Sequence, residues 1–99
     1  MQNTQGISYI EFTRTIRPFC PLGNDTFDAK ITVSLQPDKE LFDFCEMDRA
    51  IQALSSRRLI AEDVANEVYN LVMAYKPLNL SVRVDAESNT HFPVTVIKE

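Results

Sequence analysis

The chain has 99 residues, of which 44% are hydrophobic and 24% charged, enough for one globular core but not for two. Its 10 basic and 14 acidic residues give a formal net charge of −4, which argues against a broad cationic surface for nucleic acid or an anionic membrane. No run approaches the roughly 20 apolar residues of a membrane span, and residues 1–6 lack the apolar core of a signal peptide. We therefore expect one cytoplasmic domain over residues 1–99, with residues 1–6 disordered, no membrane partner and reduced cysteines.

Two strands are predicted in the first half of the chain. Residues 7–17 mix Ile, Tyr and Phe with Thr and Arg, which is typical of a strand with one wet face. The next stretch contains Cys20, two prolines, Gly23 and Asn24, and this turn chemistry predicts a loop. Residues 27–36 then alternate strictly between apolar and polar side chains, which predicts a half-buried strand.

Two helices and two further strands are predicted in the second half. Asp43, followed three residues later by a glutamate, resembles a helix cap, and apolar residues at helical spacing continue to Leu54. A second helical stripe runs over residues 60–75 and ends before a proline. Alternation over residues 80–84 and 92–96, with a polar stretch between them, predicts the last two strands.

This order of elements indicates an α+β fold with a four-stranded antiparallel sheet and two helices on one face. A sheet of this size has one uncovered face and two uncovered edges. We expect the edges of neighbouring subunits to pair around a symmetry axis, so that the sheets close into a homo-oligomeric ring.

Four short motifs of this sequence resemble the tunnelling-fold superfamily. They are Cys20-Pro21, residues 27–33, Pro37-Asp38 and residues 60–63. The similar branches are the QueF family, which comprises 7-cyano-7-deazaguanine reductases and QueF-like amidine-forming enzymes, and GTP cyclohydrolase I. The resemblance covers roughly residues 17–97. Both branches align without gaps between a loop cysteine and a helix glutamate, which here are Cys20 and Glu62.

The resemblance implies roles for these two residues. Glu62 would accept hydrogen bonds from the amino group and adjacent ring N–H of a guanine-like or pterin-like heterocycle, since a carboxylate offers two acceptors to two neighbouring donors. The alternative is a solvated acidic residue at a helix start. Cys20 resembles the nucleophile that adds as a thiolate to a nitrile carbon and forms a thioimide. The alternative is an inert loop thiol.

Other polar residues match the family less directly. QueF enzymes place an acidic aspartate seven residues after the cysteine, where this chain has Phe27. We favour Asp28 as the acid over Asp25, because alternation places Asp28 opposite the apolar face of its strand. His91, the only histidine, starts the last predicted strand and is a candidate substrate-binding residue. The Arg57-Arg58 pair is interpreted as solvated, with a phosphate site as the alternative.

Metal and cofactor signatures of the relatives are incomplete. GTP cyclohydrolase I has histidines after the loop cysteine and a later cysteine as zinc ligands, whereas this chain has Leu22, Gly23 and residues 88–90 at those places. The reductases carry two lysines in their NADPH signature, and the corresponding helix carries Glu46 and Asp48 instead. Because acidic groups repel a cofactor phosphate, we expect no metal and no cofactor.

These observations favour a QueF-like enzyme of a queuosine- or archaeosine-type pathway. Its substrate would be a 7-cyano-7-deazaguanine group, free or carried on a nucleic acid, and ammonia addition is favoured over reduction. One alternative is an NADPH-dependent nitrile reductase of the same family. Another is a non-catalytic ring protein that binds a purine-like or pterin-like ligand. A pterin enzyme of the dihydroneopterin aldolase kind is disfavoured, because Asp85 stands where its lysine is expected.

Overall fold

The chain folds as two strands, two helices and two strands. A computed structural model describes residues 1–23 and 25–99, so Asn24, part of the predicted loop, lies outside the described residues. The elements are β1 (Ile10–Ile16), β2 (Asp28–Gln36), α1 (Phe44–Gln52), α2 (Ala61–Met73), β3 (Leu78–Glu87) and β4 (Val94–Lys98), with a 3₁₀ turn at Ala53–Ser56. The strands pair antiparallel in the order β1-β2-β3-β4. The predicted α+β architecture is confirmed.

The core lies between one face of the sheet and the two helices. Along β2, alternate side chains are at most 2% exposed, and the residue just before the strand is 8% exposed; these are Phe27, Ala29, Ile31, Val33 and Leu35. The matching row on β3 is at most 6% exposed and comprises Leu80, Val82, Val84 and Ala86. Because side chains of a strand alternate between its faces, this burial confirms the half-buried strand predicted over residues 27–36.

Local side chains fix the start of both helices, and the Asp43 cap was predicted from the sequence, whereas α2 is shorter than the predicted 60–75. The Asp43 carboxylate accepts a hydrogen bond from the Glu46 N–H at 3.0 Å and caps α1. The Asp63 carboxylate accepts one from the N–H of Ile60 at 3.2 Å, just before α2. After α2, Lys76 adopts a left-handed backbone conformation with φ of 54°, and Pro77 follows, where a helix cannot continue.

Helix α1 is tied to the edge strand β1 by a forked ion pair. Arg14 Nε and Nη2 each lie 2.6 Å from a carboxylate oxygen of Asp48, and Gln52 donates to the same carboxylate at 2.6 Å. A planar guanidinium matches a carboxylate in this two-bond arrangement. The pair therefore sets where α1 lies along β1.

The two outer strands begin later than predicted. β1 begins at Ile10 rather than at residue 7, and Tyr9 is 58% exposed. β4 begins at Val94 rather than at residue 92. Pro93 has no N–H to donate to a strand ladder, and Phe92 is 77% exposed, so the apolar alternation starts after the proline.

Residues 1–6 run beside the segment that follows β2. The Met1 amine donates to the Leu41 carbonyl at 3.0 Å, and the Asn3 side chain donates to the Asp38 carbonyl at 3.1 Å. The disorder predicted for residues 1–6 in solution stays a prediction. None of the helices in the described part of the chain is long and apolar enough to cross a membrane.

Candidate functional site

Cys20 lies in a loop that is closed by its own backbone. The Gly23 N–H donates to the Cys20 carbonyl at 3.3 Å, and the Cys20 N–H donates to the Asp25 carbonyl at 2.9 Å. Pro21 occupies the second position of this turn and Gly23 the fourth, which are favoured places for these residue types. The thiol is half-buried against the core. A short sequence thus fixes the cysteine backbone at the edge of the core.

Glu62 is exposed in the first turn of α2, next to the buried Ala61. Acidic side chains are favoured there by the helix dipole. Among the described residues, none forms an ion pair or side-chain hydrogen bond with Glu62. Its carboxylate oxygens are therefore available to donors from outside the chain.

One small cavity brings Cys20, Glu62 and His91 together. It has a volume of about 160 Å³, below the roughly 300 Å³ at the lower end for drug-sized ligands. Its other lining residues are mostly apolar and comprise Phe27, Ile60, Ala61, Ala86, Ser88 and Val94. The cavity thus joins the Cys20 loop, the start of α2 and the connection between β3 and β4.

The histidine ring is held by its neighbour. His91 Nδ1 donates to the Phe92 carbonyl at 2.6 Å, so the neutral ring keeps its proton on Nδ1 and Nε2 is an acceptor. Ser88 also lines the cavity, although the sequence singled it out only as a departure from a zinc-ligand position. Its position at the end of β3 carried no sequence signal for ligand binding.

Asp28 lies outside this cavity. It lines a neighbouring depression of about 370 Å³, is 55% exposed and forms an ion pair with Arg17 at 2.9 Å. Phe27 and Ser88 line both spaces. Asp25 contributes its backbone carbonyl to the Cys20 loop. Three of the four candidate residues, Cys20, Glu62 and His91, therefore line one cavity. The fourth, Asp28, lines the depression beside it.

The expected absence of a metal and a cofactor stays a prediction. Within residues 1–23 and 25–99, no group of three or more His, Cys, Asp and Glu side chains could hold a metal ion. On α1, the hydrogen bond from Arg14 lowers the pKa of the Asp48 carboxyl, and the bond from Gln52 adds to this effect. Asp48 is therefore ionised at neutral pH, and its charge is balanced by Arg14.

The fold matches that of a solved enzyme. No protein-family model matches the chain, and no curated protein matches its sequence. The apo crystal structure of the archaeosine synthase QueF-Like superposes with a TM-score of 0.84 and 17% sequence identity, over 92% of this chain and 91% of that chain. This chain has the fold of that solved structure. The resemblance seen in the sequence motifs is thereby confirmed at the level of the fold, while QueF-like chemistry and ring assembly stay predictions.

Proposed function

We propose that this protein acts in 7-deazaguanine metabolism, on a 7-cyano-7-deazaguanine group that it holds through Glu62 and attacks through Cys20. One observation carries the proposal: Cys20 and Glu62 line the same cavity in a chain with the fold of a QueF-like enzyme. Neither residue alone would support it, because acidic residues at helix starts and cysteines in loops are common.

Glu62 would bind the heterocycle by its amino group and neighbouring ring N–H. Two parallel hydrogen bonds to one carboxylate fix the ring plane as well as its position. His91 Nε2 would then meet a polar edge of the same ring, and the apolar lining would contact its faces. Such an arrangement selects guanine-like edges and rejects adenine-like ones, which lack the adjacent pair of donors.

The proposed reaction has two additions and no redox step. The Cys20 thiolate adds to the nitrile carbon and a proton reaches the nitrile nitrogen, which gives a thioimide. Ammonia then adds to the same carbon, the C–S bond breaks, and the thiolate leaves, which gives the protonated amidine as the product. We assign the proton donor as Asp28, which would act from the depression next to the cavity, with Asp25 as the alternative.

Ammonia is favoured over a hydride as the second reactant. A hydride would come from NADPH, and Glu46 and Asp48 replace the lysines that hold its phosphate in the reductases. The NADPH-dependent reductase is therefore the weaker alternative within the same family.

Intact-protein mass spectrometry tests the covalent step. Incubation with the nitrile base, offered free and within an oligonucleotide, should add one ligand mass to the wild type. The adduct should be lost in Cys20→Ala and kept in Cys45→Ala, the matched control, because Cys45 is exposed on α1 and away from the cavity. No adduct on the wild type with either substrate form would refute the proposal.

A second candidate is a binding protein without chemistry. Asp28 lies outside the cavity that Cys20 lines, so the proposed acid and the proposed nucleophile do not share one site. Tight binding of the base that survives Cys20→Ala, with no turnover in the presence of ammonia, glutamine or NADPH, would favour this candidate.

A further inference from the structure

The Cys20 loop is attached to the segment that leads into α2. The N–H of Phe19 donates to the Arg57 carbonyl at 3.0 Å, and the N–H of Leu59 donates to the Phe19 carbonyl at 3.0 Å. Phe19 and Arg58 thus form a parallel bridge. Leu59 is 4% exposed and belongs to the core, so the bridge rests on a fixed backbone.

The Arg58 side chain adds a second attachment to the same loop. Its Nη1 atom donates to the Gly23 carbonyl at 2.7 Å and approaches the Cys20 carbonyl at 3.4 Å. Its guanidinium lies 5.8 Å from the centre of the Phe19 ring, within the range of a cation–π contact. One side chain therefore contacts the residue before Cys20, Cys20 itself and the end of the turn.

The same segment also places Glu62. Only three residues separate Arg58 from Glu62, and two of them, Leu59 and Ala61, are buried. The position of the Cys20 loop and the position of Glu62 therefore both depend on residues 57–59. A nucleophile must stay within a narrow range of positions to attack a bound ligand, and a misplacement of about 1 Å can cost on the order of 100-fold in rate.

From these contacts we infer that Arg58 is a positioning residue, which holds the Cys20 loop at the distance from Glu62 that attack requires. Arg58 acts on the loop backbone and not on the ligand. The catalytic part of this inference rests on the proposed function; the attachment of the loop does not. Lysine cannot fully replace Arg58, because an ammonium lacks the rigid fork of donors that a guanidinium presents.

Three variants test the inference. Arg58→Ala removes the contacts, Arg58→Lys keeps the charge, and Arg57→Ala is the matched control, since the Arg57 side chain pairs with Glu67 at 3.0 Å. Peptide-level hydrogen exchange over residues 19–23 should accelerate about tenfold in Arg58→Ala. The Kd of the nitrile base should stay within about twofold, while the rate of Cys20 adduct formation falls at least about tenfold. Arg58→Lys should be intermediate and Arg57→Ala near wild type.

The exchange, affinity and adduct measurements test the role of Arg58 separately from the proposed function. Equal exchange of residues 19–23 in Arg58→Ala and Arg57→Ala would overturn the inference. So would a loss of base affinity as large as the loss of adduct rate, because Arg58 would then act on the ligand. If the wild type forms no adduct, the proposed function fails, and the exchange measurement alone still decides whether Arg58 holds the loop.

Discussion

At the scale of single residues, the two carboxylates Glu62 and Asp28 differ in what surrounds them. Asp28 is engaged by Arg17 at 2.9 Å, on the polar face of β2. Glu62 stands beside a mostly apolar cavity and is not paired with any described residue. An unpaired carboxylate next to apolar walls gains more from two ligand N–H donors than one that already has a cation.

Replacement of Glu62 by glutamine should weaken binding of a guanine-like base. One acceptor becomes a donor and the charge is lost, so a Kd increase of about 10- to 100-fold is expected, since hydrogen bonds to charged groups contribute about 1.5–3 kcal/mol. Isothermal titration calorimetry with the nitrile base measures this. Glu46→Gln is the matched control, because Glu46 also lies in the first turn of a helix but away from the cavity. Equal affinity in both variants would remove Glu62 from the site.

The sequence predicted part of the residue-scale picture. The spacing of Cys20 and Glu62 led to both residues, and the structure places them on one cavity. Arg58 could not be assigned in this way, because its acceptors are backbone carbonyls and carbonyls leave no mark in a sequence. Asp28 was placed on the polar face of its strand by alternation, but alternation does not say which cavity that face borders.

At the scale of elements, the link between α1 and β1 depends on ionised Asp48. The hydrogen bond from Arg14 lowers the pKa of this carboxyl below its ordinary value of 3.8. A carboxyl with a lowered pKa in the folded state stabilises the fold above its unfolded pKa, and this contribution is lost as the pH falls through the folded value.

Comparison of the wild type with Asp48→Asn in urea should show this pH dependence. At pH 7 the free energy of unfolding should be larger for the wild type than for Asp48→Asn. This difference should shrink as the pH falls from about 4 toward 2. Asp38→Asn serves as the control, because no described side chain bonds to the Asp38 carboxylate. If the difference in the free energy of unfolding is the same at pH 7 and pH 2, the ion pair is not its cause.

The ends of helices and strands were predicted well where a nearby residue, such as a cap or a proline, signals them. Asp43 fixed the start of α1 through a cap, and Pro77 marked the region in which α2 ends, although the helix stops at Met73. The start of β4 was misjudged by two residues, because Phe92 continued the apolar alternation while the following Pro93 interrupts the ladder. A rule based on alternation alone gives no weight to that proline.

At the scale of the whole molecule, β1 and β4 are the edge strands of the sheet. Within residues 1–23 and 25–99, each of them pairs with a strand of the sheet on one side only. An apolar cleft of about 440 Å³, lined by Phe12, Phe42 and Phe44 among others, lies between β1 and α1. Open edges beside apolar surface favour association.

We therefore expect the ring predicted from the sequence to form through these edges. Its signature is a melting temperature that rises between about 1 and 100 µM protein, because association stabilises the folded chain by mass action. Native mass spectrometry over the same range reports the number of subunits. A monomer mass throughout, with a constant melting temperature, would contradict the ring.

The bridge between Phe19 and Arg58 has a consequence for how the chain can vary. Three residues separate Arg58 from Glu62, and in α2 each residue turns the chain by about 100° and advances it by 1.5 Å. One residue inserted between them would rotate Glu62 off the cavity while Cys20 stayed in place. The length of this short connection is therefore constrained by the geometry of the site, in addition to the packing of Leu59 and Ala61 in the core.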